Sequence, residues 1–564
     1  MNLLTILMTT ISWLPSCVFP EQVRTFNVLL KQQNLHVLHS ELIKRSNPKS
    51  TIYGQWLEKE SIDTIIRPSN GKSVIDWFSK NNIECVDNSD NLQCSASVGV
   101  LSNVFNSTFL YYHDSESGVI SDRYFKLNMP EKINTQVDFI IGLNDFPHIN
   151  KIQIHQKCGI DDDKIISSES IKELYNISDY NHPNVSSQSV VEFLNDACYS
   201  ASDLQDFMNK SGMPNVTILE DNIIATCSNL TMSPDVEASL DIQYQLAVNN
   251  NTNQHYVSVS DWLYQFANKL YTMESPPMVN SMSYGWAEWD QCDPNVFPTC
   301  ELEVSSEVYT RRTNVEFMKL ALRGITLVAS SGDAGAPGRT NEECDGDKPL
   351  NPAFPASSPW VLAVGGTIFV NTTAIKDPKT PMCQDNTCIG GGVELNCNFD
   401  RCGWTSGGGF SDYFNRPWWQ VNATSNYISK AKNLPPPKYF NINGRAYPDI
   451  SLVSHNFWVN VGGEYSGVDG TSASAPSVSG MISILNNLRV SQGKPTLGPV
   501  APLLYHMATQ CSDCFKDIAV GSNNSTEEDP NCQYGYHAIE GYDPVYGLGV
   551  PNFDRMYNFV RDEM

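Results

Sequence analysis

Apolar and polar positions alternate in two different styles along this chain of 564 residues. From residue 21 to about residue 159, short strand-like runs at 25–30, 96–101 and 108–113 are mixed with helix-like segments near 35–44 and 74–80. That pattern predicts a compact α/β sandwich, with strands and helices on opposite faces. After the charged stretch Asp161-Asp162-Asp163-Lys164, apolar strands alternate with helices to the end, and glycine-rich turns separate them. Continuous apolar strands of this kind indicate a parallel sheet covered on both faces. The run at 324–331 is one such strand and ends in Gly332-Asp333-Ala334-Gly335. The segment 236–246 reads as a helix, with Leu240, Tyr244 and Ala247 at helical intervals.

Candidate chemistry falls on these elements. Gly470-Thr471-Ser472-Ala473-Ser474-Ala475-Pro476 fits a serine nucleophile at the mouth of a buried helix. Glycine allows the sharp turn, and small side chains leave room for a substrate carbonyl. A serine needs a base, yet none of the ten histidines sits in a convincing motif and no His-Gly-Thr precedes the serine. A Ser-His-Asp arrangement therefore fails. Glu237 and Asp241 are spaced i, i+4, which on a helix places them on one face about 5–6 Å apart between Cβ atoms. Two acids so close share a proton and titrate as a pair. Such a pair serves as a base where histidine would already be protonated. Asp333 follows the apolar strand, at the carboxyl edge where catalytic groups of α/β sheets gather. Taken singly, the pair reads first as a solvated helix face and Asp333 first as a turn cap; it is beside the serine motif that the catalytic reading gains.

Together these elements resemble the sedolisin family of serine-carboxyl peptidases. Further matching stretches are Ser281-Met282-Ser283-Tyr284-Gly285, Phe354-Pro355-Ala356-Ser357-Ser358-Pro359, Val364-Gly365-Gly366-Thr367, Gly407-Gly408-Gly409-Phe410-Ser411 and Gly444-Arg445-Ala446-Tyr447-Pro448-Asp449. The resemblance covers nearly the whole chain. It implies a subtilisin-like fold in which Ser472 is the nucleophile, Glu237 its general base, Asp241 the acid supporting Glu237, and Asp333 the oxyanion-hole donor. Asp469 stands where relatives often carry serine and adds a carboxylate next to the motif. The resemblance further implies that residues 21–159 form a propeptide, a folding aid and intramolecular inhibitor, with maturation cleavage in the linker 160–168 and a peptidase domain over 169–564. Tripeptide release from free N-termini is the activity of the nearest branch, and other members cut internally. A non-catalytic, peptide-binding relative is the alternative from a different class; all four catalytic positions hold the required chemistry, which favours the enzyme.

The chemistry dictates acid operation. A carboxyl in an oxyanion hole donates a hydrogen bond only while protonated, whereas the base must be ionised. Both conditions hold only near ordinary carboxyl pKa values, roughly pH 3–5.

Composition narrows the setting. The net charge of −25 argues against nucleic-acid binding. Residues 3–14 form an apolar run before Pro15, Ser16 and Cys17, which reads as a signal peptide over 1–17. No later segment is apolar enough to span a bilayer. These features predict a lysosomal or other acidic secretory-pathway location, with secretion as the alternative. Sequons at Asn106, Asn176, Asn184, Asn209, Asn215, Asn229, Asn250, Asn371, Asn422, Asn523 and Asn524 predict glycosylation of some of them. Sixteen cysteines in such a compartment read as disulfides, with Cys85–Cys94, Cys292–Cys300, Cys383–Cys388 and Cys397–Cys402 as close candidates. The last two spacings also mimic a four-thiolate zinc site.

Near the C-terminus the resemblance implies a Ca²⁺ site. Its ligands would be the Asp517 and Asp543 side chains with the carbonyls of Ile518, Ile539 and Gly541. Ca²⁺ takes six to eight hard oxygens, which carboxylates and loop carbonyls supply. The family usually has glycine where Ile539 stands, so its backbone angles are the point to check.

Overall fold

The computed structural model describes residues 13–17, 20–69, 71–114, 120–124, 126–143, 164–178, 180, 182–193, 198–224, 234–259, 261–292 and 304–564. Asp161, Asp162 and Asp163 of the expected linker lie outside them. The chain divides into two compact units. One comprises Met1–Glu41, Glu58–Lys151 and Trp289–Tyr309; the other comprises Leu42–Leu57, Ile152–Glu288 and Thr310–Met564. Leu42–Leu57 thus belongs with the peptidase region, although it lies inside the expected propeptide.

The first unit is built on a four-stranded antiparallel sheet in the order Glu84–Asp87, Asn91–Ser97, Val23–Leu30, Val137–Ile141. Helices Gly71–Lys80 and Val98–Phe105 contribute Val74, Phe78, Leu101 and Phe105 to a core shared with Phe26, Val28 and Leu92. Strand side chains alternate, so the sheet offers one apolar face to these helices. The strand expected at 96–101 is instead a strand end and a helix start. Ser97 caps the turn, its hydroxyl accepting from the Val100 amide at 3.4 Å. A short apolar run cannot by its periodicity distinguish the two, and the serine cap decides it. Trp13–Cys17, inside the expected signal, is a strand pairing with Phe109–Asp114.

The second unit carries an eight-stranded sheet. Thr326–Ser330, Val279–Met282, Ser187–Glu192 and Asn253–Ser258 are neighbours in that order, and all pair in parallel. Leu362–Ala374 continues the parallel run next to Thr326–Ser330, and Ile389–Asn396 closes that edge antiparallel. Two helices, Val236–Val248 and Thr471–Ser491, pack against each other and the sheet. Both are buried nearly all round, which explains their apolar and small-residue content. At their crossing, a Cβ on Gly480 would come within 2.8 Å of Val248 Cβ, so the approach requires glycine.

Disulfides join Cys85–Cys94, Cys383–Cys388 and Cys397–Cys402 as the spacings predicted, which removes the zinc alternative. Cys344–Cys532 and Cys511–Cys514 are further pairs. Cys292 is disulfide-bonded, and its expected partner Cys300 lies outside the described residues. The Asn523 sequon is buried, its amide donating to the Gly408 and Pro544 carbonyls at 3.1 Å, so the folded chain withholds it from a glycosyltransferase.

Candidate active site

Three adjacent parallel strands end side by side and deliver Asp333, Ser283 and Glu192 to one edge. Asp333 follows Thr326–Ser330, Ser283 follows Val279–Met282, and Glu192 ends Ser187–Glu192. Ser472 sits in the first turn of Thr471–Ser491, whose N-terminus lies over this edge. The turn depends on Gly470, which has φ +132° and whose Cβ would lie 3.2 Å from Asp333 Oδ2. A side chain there would be strained and would crowd the carboxyl.

Asp333 Oδ1 accepts from the Thr471 amide at 2.8 Å and from the Thr471 hydroxyl at 2.7 Å. One carboxyl oxygen is thereby committed as an acceptor, and Oδ2 is the one beside Gly470.

Ser283 links the nucleophile to the acid pair. Its hydroxyl lies 2.8 Å from Asp241 Oδ1 and 3.3 Å from the Ser472 carbonyl, while the Ser472 hydroxyl donates to the Ser283 carbonyl at 3.4 Å. Pro476 explains why that carbonyl is available. Lacking an N–H, proline cannot donate to the carbonyl four residues back, which is that of Ser472. The sequence reading included Ser283 in a matching stretch but gave it no role.

Glu237 and Asp241 lie on the buried helix Val236–Val248, 9% and 0% exposed. Asp235 caps this helix, its Oδ1 accepting from the Glu237 amide at 2.9 Å. Asp241 has its carboxyl pushed well above the usual range, first by burial, then by the negative charges of Glu237 and Glu192. The Ser283 hydrogen bond opposes this, and Asp235 adds to it. The Ser283 hydroxyl has a single hydrogen, and of its two acceptors Asp241 Oδ1 is the nearer. Glu192 is fully buried and accepts from the Tyr284 hydroxyl at 2.8 Å. No motif pointed to Glu192 beforehand; an acid closing an apolar strand was the only available signal.

The sequence placed Asp469 beside the nucleophile, and the structure shows its carboxylate engaged. It accepts from the Asn456 amide at 2.8 Å, from Trp404 Nε1 at 3.4 Å, and pairs with His455 Nδ1 at 2.5 Å. The acids that act electrostatically on Asp241 are Glu237, Glu192 and Asp235.

The Gly407–Ser411 stretch supports the Asp333 loop, with the Gly407 amide donating to the Gly332 carbonyl at 2.7 Å. Buried Glu288 anchors it in turn, accepting from the Ser411 hydroxyl at 2.5 Å and the Asp412 amide at 2.9 Å. Burial is the main cause that raises Glu288 to about 7. A carboxyl raised in the folded state contributes stability in full below its unfolded value, about 4.5, and loses it as pH rises through 7. At 1.36 kcal/mol per pH unit, this single group costs about 3 kcal/mol between acid and pH 8. Denaturant unfolding at pH 4.5 and 8 should therefore show a smaller pH-dependent loss for Glu288→Gln than for the parent. Equal losses would remove Glu288 as a source.

Of the residues that the resemblance singled out, Asp333 accepts from Thr471 beside Ser472, Asp241 meets Ser283, which in turn contacts Ser472, and Glu237 lies one turn before Asp241 on the same helix. Asp517 and Asp543 lie in C-terminal loops tied to each other: Asp517 Oδ2 accepts from the Gly541 amide at 2.7 Å and Asp543 Oδ2 from the Ile539 amide at 3.0 Å. Asp543 is fully buried and raised to about 8 by burial, with the Asp517 charge adding to it. Among the described residues no Lys or Arg pairs with either acid, so the donor set suits a cation. Ile539 does not have positive φ, so isoleucine meets no backbone strain there.

Comparison with known proteins agrees with this geometry. The Pro-kumamolisin activation domain matches residues 18–146 and the Subtilase family matches residues 242–535. The chain is 36% identical to Physarolisin of Physarum polycephalum over 96% of this chain and 94% of that one. It is 30% identical to Tripeptidyl-peptidase 1 of Mus musculus, over 95% and 91% of the two chains. Pseudomonas sedolisin, a serine-carboxyl proteinase, superposes with a TM-score of 0.52 at 20% identity, covering 72% of this chain and 100% of the other. With an activation region, a subtilase-type sheet and a serine set among carboxyls, the chain belongs to the sedolisin family of serine peptidases.

Proposed function

We propose that this peptidase works at acid pH, releases tripeptides from free N-termini through an acyl-enzyme, and is made as a zymogen that cleaves itself. The observation that carries the mechanism is the Ser283 bridge between the Ser472 backbone and Asp241. Ser472 Oγ attacks the scissile carbonyl carbon while Glu237 takes its proton. Asp241, kept protonated by its surroundings, shares its proton with Glu237 and steadies it. The tetrahedral oxyanion accepts a hydrogen bond from protonated Asp333. Collapse breaks the C–N bond, and Glu237 returns the proton to the leaving amine. Water then attacks the acyl-enzyme with Glu237 again as base, releasing the new carboxyl terminus.

Tripeptide release rests on the Tripeptidyl-peptidase 1 relatives. One unstructured peptide, digested free and N-acetylated and followed by mass spectrometry, tests it. Ladders stepping by three residues that vanish on acetylation are expected. Internal fragments from the blocked peptide would make the enzyme an endopeptidase. The acid operation proposed above and the sequons support a lysosomal or secreted glycoprotein; among the described residues no helix is long and apolar enough to cross a membrane.

The Asp517 and Asp543 carboxylates with the Ile518, Ile539 and Gly541 carbonyls would hold Ca²⁺. When bound, the ion supplies positive charge that lets both carboxyls ionise and fixes the two loops. Free Ca²⁺ at about 100-fold its Kd would stabilise the fold by about 2.7 kcal/mol. Chelation should lower the thermal midpoint, and Asp543→Asn should abolish that difference. An identical midpoint in Ca²⁺ and in chelator would remove the site.

A further inference from the structure

The activation-domain match spans 18–146, yet Leu42–Leu57 is part of the peptidase unit. Within it, Tyr53-Gly54-Gln55-Trp56 forms a compact aromatic arm, its two rings edge to face at 6.5 Å. Its backbone is folded on itself by the Gly54 amide donating to the Arg45 carbonyl at 2.9 Å. The Trp56 indole N–H donates to the Thr496 carbonyl at 2.9 Å, and the Leu57 amide donates to the Leu322 carbonyl at 2.8 Å.

The receiving surface is built for an indole. A Cβ on Gly324 would lie 2.3 Å from the Trp56 ring and one on Gly498 2.4 Å from it. Both glycines also have positive φ, +79° and +63°, so the slot is floored by two residues that other side chains would close. The Thr326 hydroxyl donates to the Gly498 carbonyl at 2.6 Å, fixing the slot to the start of Thr326–Ser330. Beside it, the Arg489 guanidinium lies 5.6 Å over the Tyr53 ring and is 2% exposed.

The location matters. Asp333 follows the carboxyl end of Thr326–Ser330, and this slot is at its amino end. Arg489 is 17 residues beyond Ser472 on the same helix, or about 25 Å at 1.5 Å per residue. The arm is therefore held at the opposite end of the fold from the chemistry.

We propose that the slot of Gly324, Thr496 and Gly498 is a dedicated receptor for the Tyr53–Trp56 arm, and that this remote attachment keeps the activation region bound to the peptidase after the linker is cut. A half-buried, hydrogen-bonded indole and a cation–π contact are of the kind that dominates interface energies. The site concerns residence of the pro-segment and does not depend on the reaction proposed for Ser472.

The full chain carrying Ser472→Ala, which removes self-cleavage from the readout, can be nicked by limited proteolysis in the 161–164 linker. Release of the N-terminal fragment is then timed by size exclusion. With the arm intact the fragment should stay bound; Trp56→Ala should speed its release at least tenfold and Trp56→Phe less. Equal release from Trp56→Ala and its parent would overturn the proposal. A second measurement needs no arm variant. Hydrogen exchange at 320–328 and 494–500 should be as slow in the nicked chain as in the intact one, and loss of that protection on nicking would equally overturn it.

Discussion

Ser472→Ala should lower turnover by about 10⁶, the scale on which a catalytic serine is lost in a related reaction. It should also leave the acidified precursor uncut. The two effects have one cause under the proposed mechanism, since the same hydroxyl attacks substrate and linker. A fluorophosphonate applied at acid pH should label the matured parent at Ser472 and leave the variant unlabelled. Acidifying both precursors side by side separates chemistry from processing. A variant that matures as fast as the parent would assign the cut to another protease, while absence of label on the matured parent would remove the serine mechanism itself. Glu237→Gln should match Ser472→Ala in turnover without rescue at any pH, because an amide cannot accept the serine proton.

The second large effect is expected at Asp333. Oδ1 already accepts two hydrogen bonds from Thr471, at 2.8 and 2.7 Å. In Asp333→Asn the amide oxygen can keep those bonds and the NH₂ takes the place of Oδ2. The variant then retains a donor but no longer titrates. Turnover should fall about 10²- to 10³-fold, the usual cost of an oxyanion donor. The alkaline limb of the pH–rate profile should move upward, because the donor no longer ionises. An unchanged limb would assign it to another group and return Asp333 to the role of a turn acid holding Thr471.

Much of this site was legible before any fold was known. Gly470-Thr471-Ser472, the i, i+4 spacing of Glu237 and Asp241, and an acid after an apolar strand are local patterns. Local patterns survive because backbone geometry alone fixes them: 3.6 residues per turn puts residues four apart on one face. The parallel sheet was legible for a similar reason, since strands buried on both faces must be continuously apolar. Local reasoning failed at 96–101, where one apolar run serves a strand and then a helix and a single serine cap sets the boundary.

Only the tertiary structure decided what surrounds those patterns. Ser283 and Glu192 lie 189 and 280 residues before Ser472 in the sequence, and they meet the site because three parallel strands end in register. No spacing rule links residues so far apart, as strand order is set by packing of the whole sheet. The same holds for Asp469, whose carboxylate looks free in the sequence and is taken up by His455, Asn456 and Trp404 in the fold. It holds too for Trp56, an ordinary aromatic within the activation region until Gly324 and Gly498 are seen to leave room for it. The sequence by itself determined which groups could react and on what elements they sit. Their neighbours, and hence the elevated proton affinity of Asp241, were decided by burial and by charges that only folding brings together.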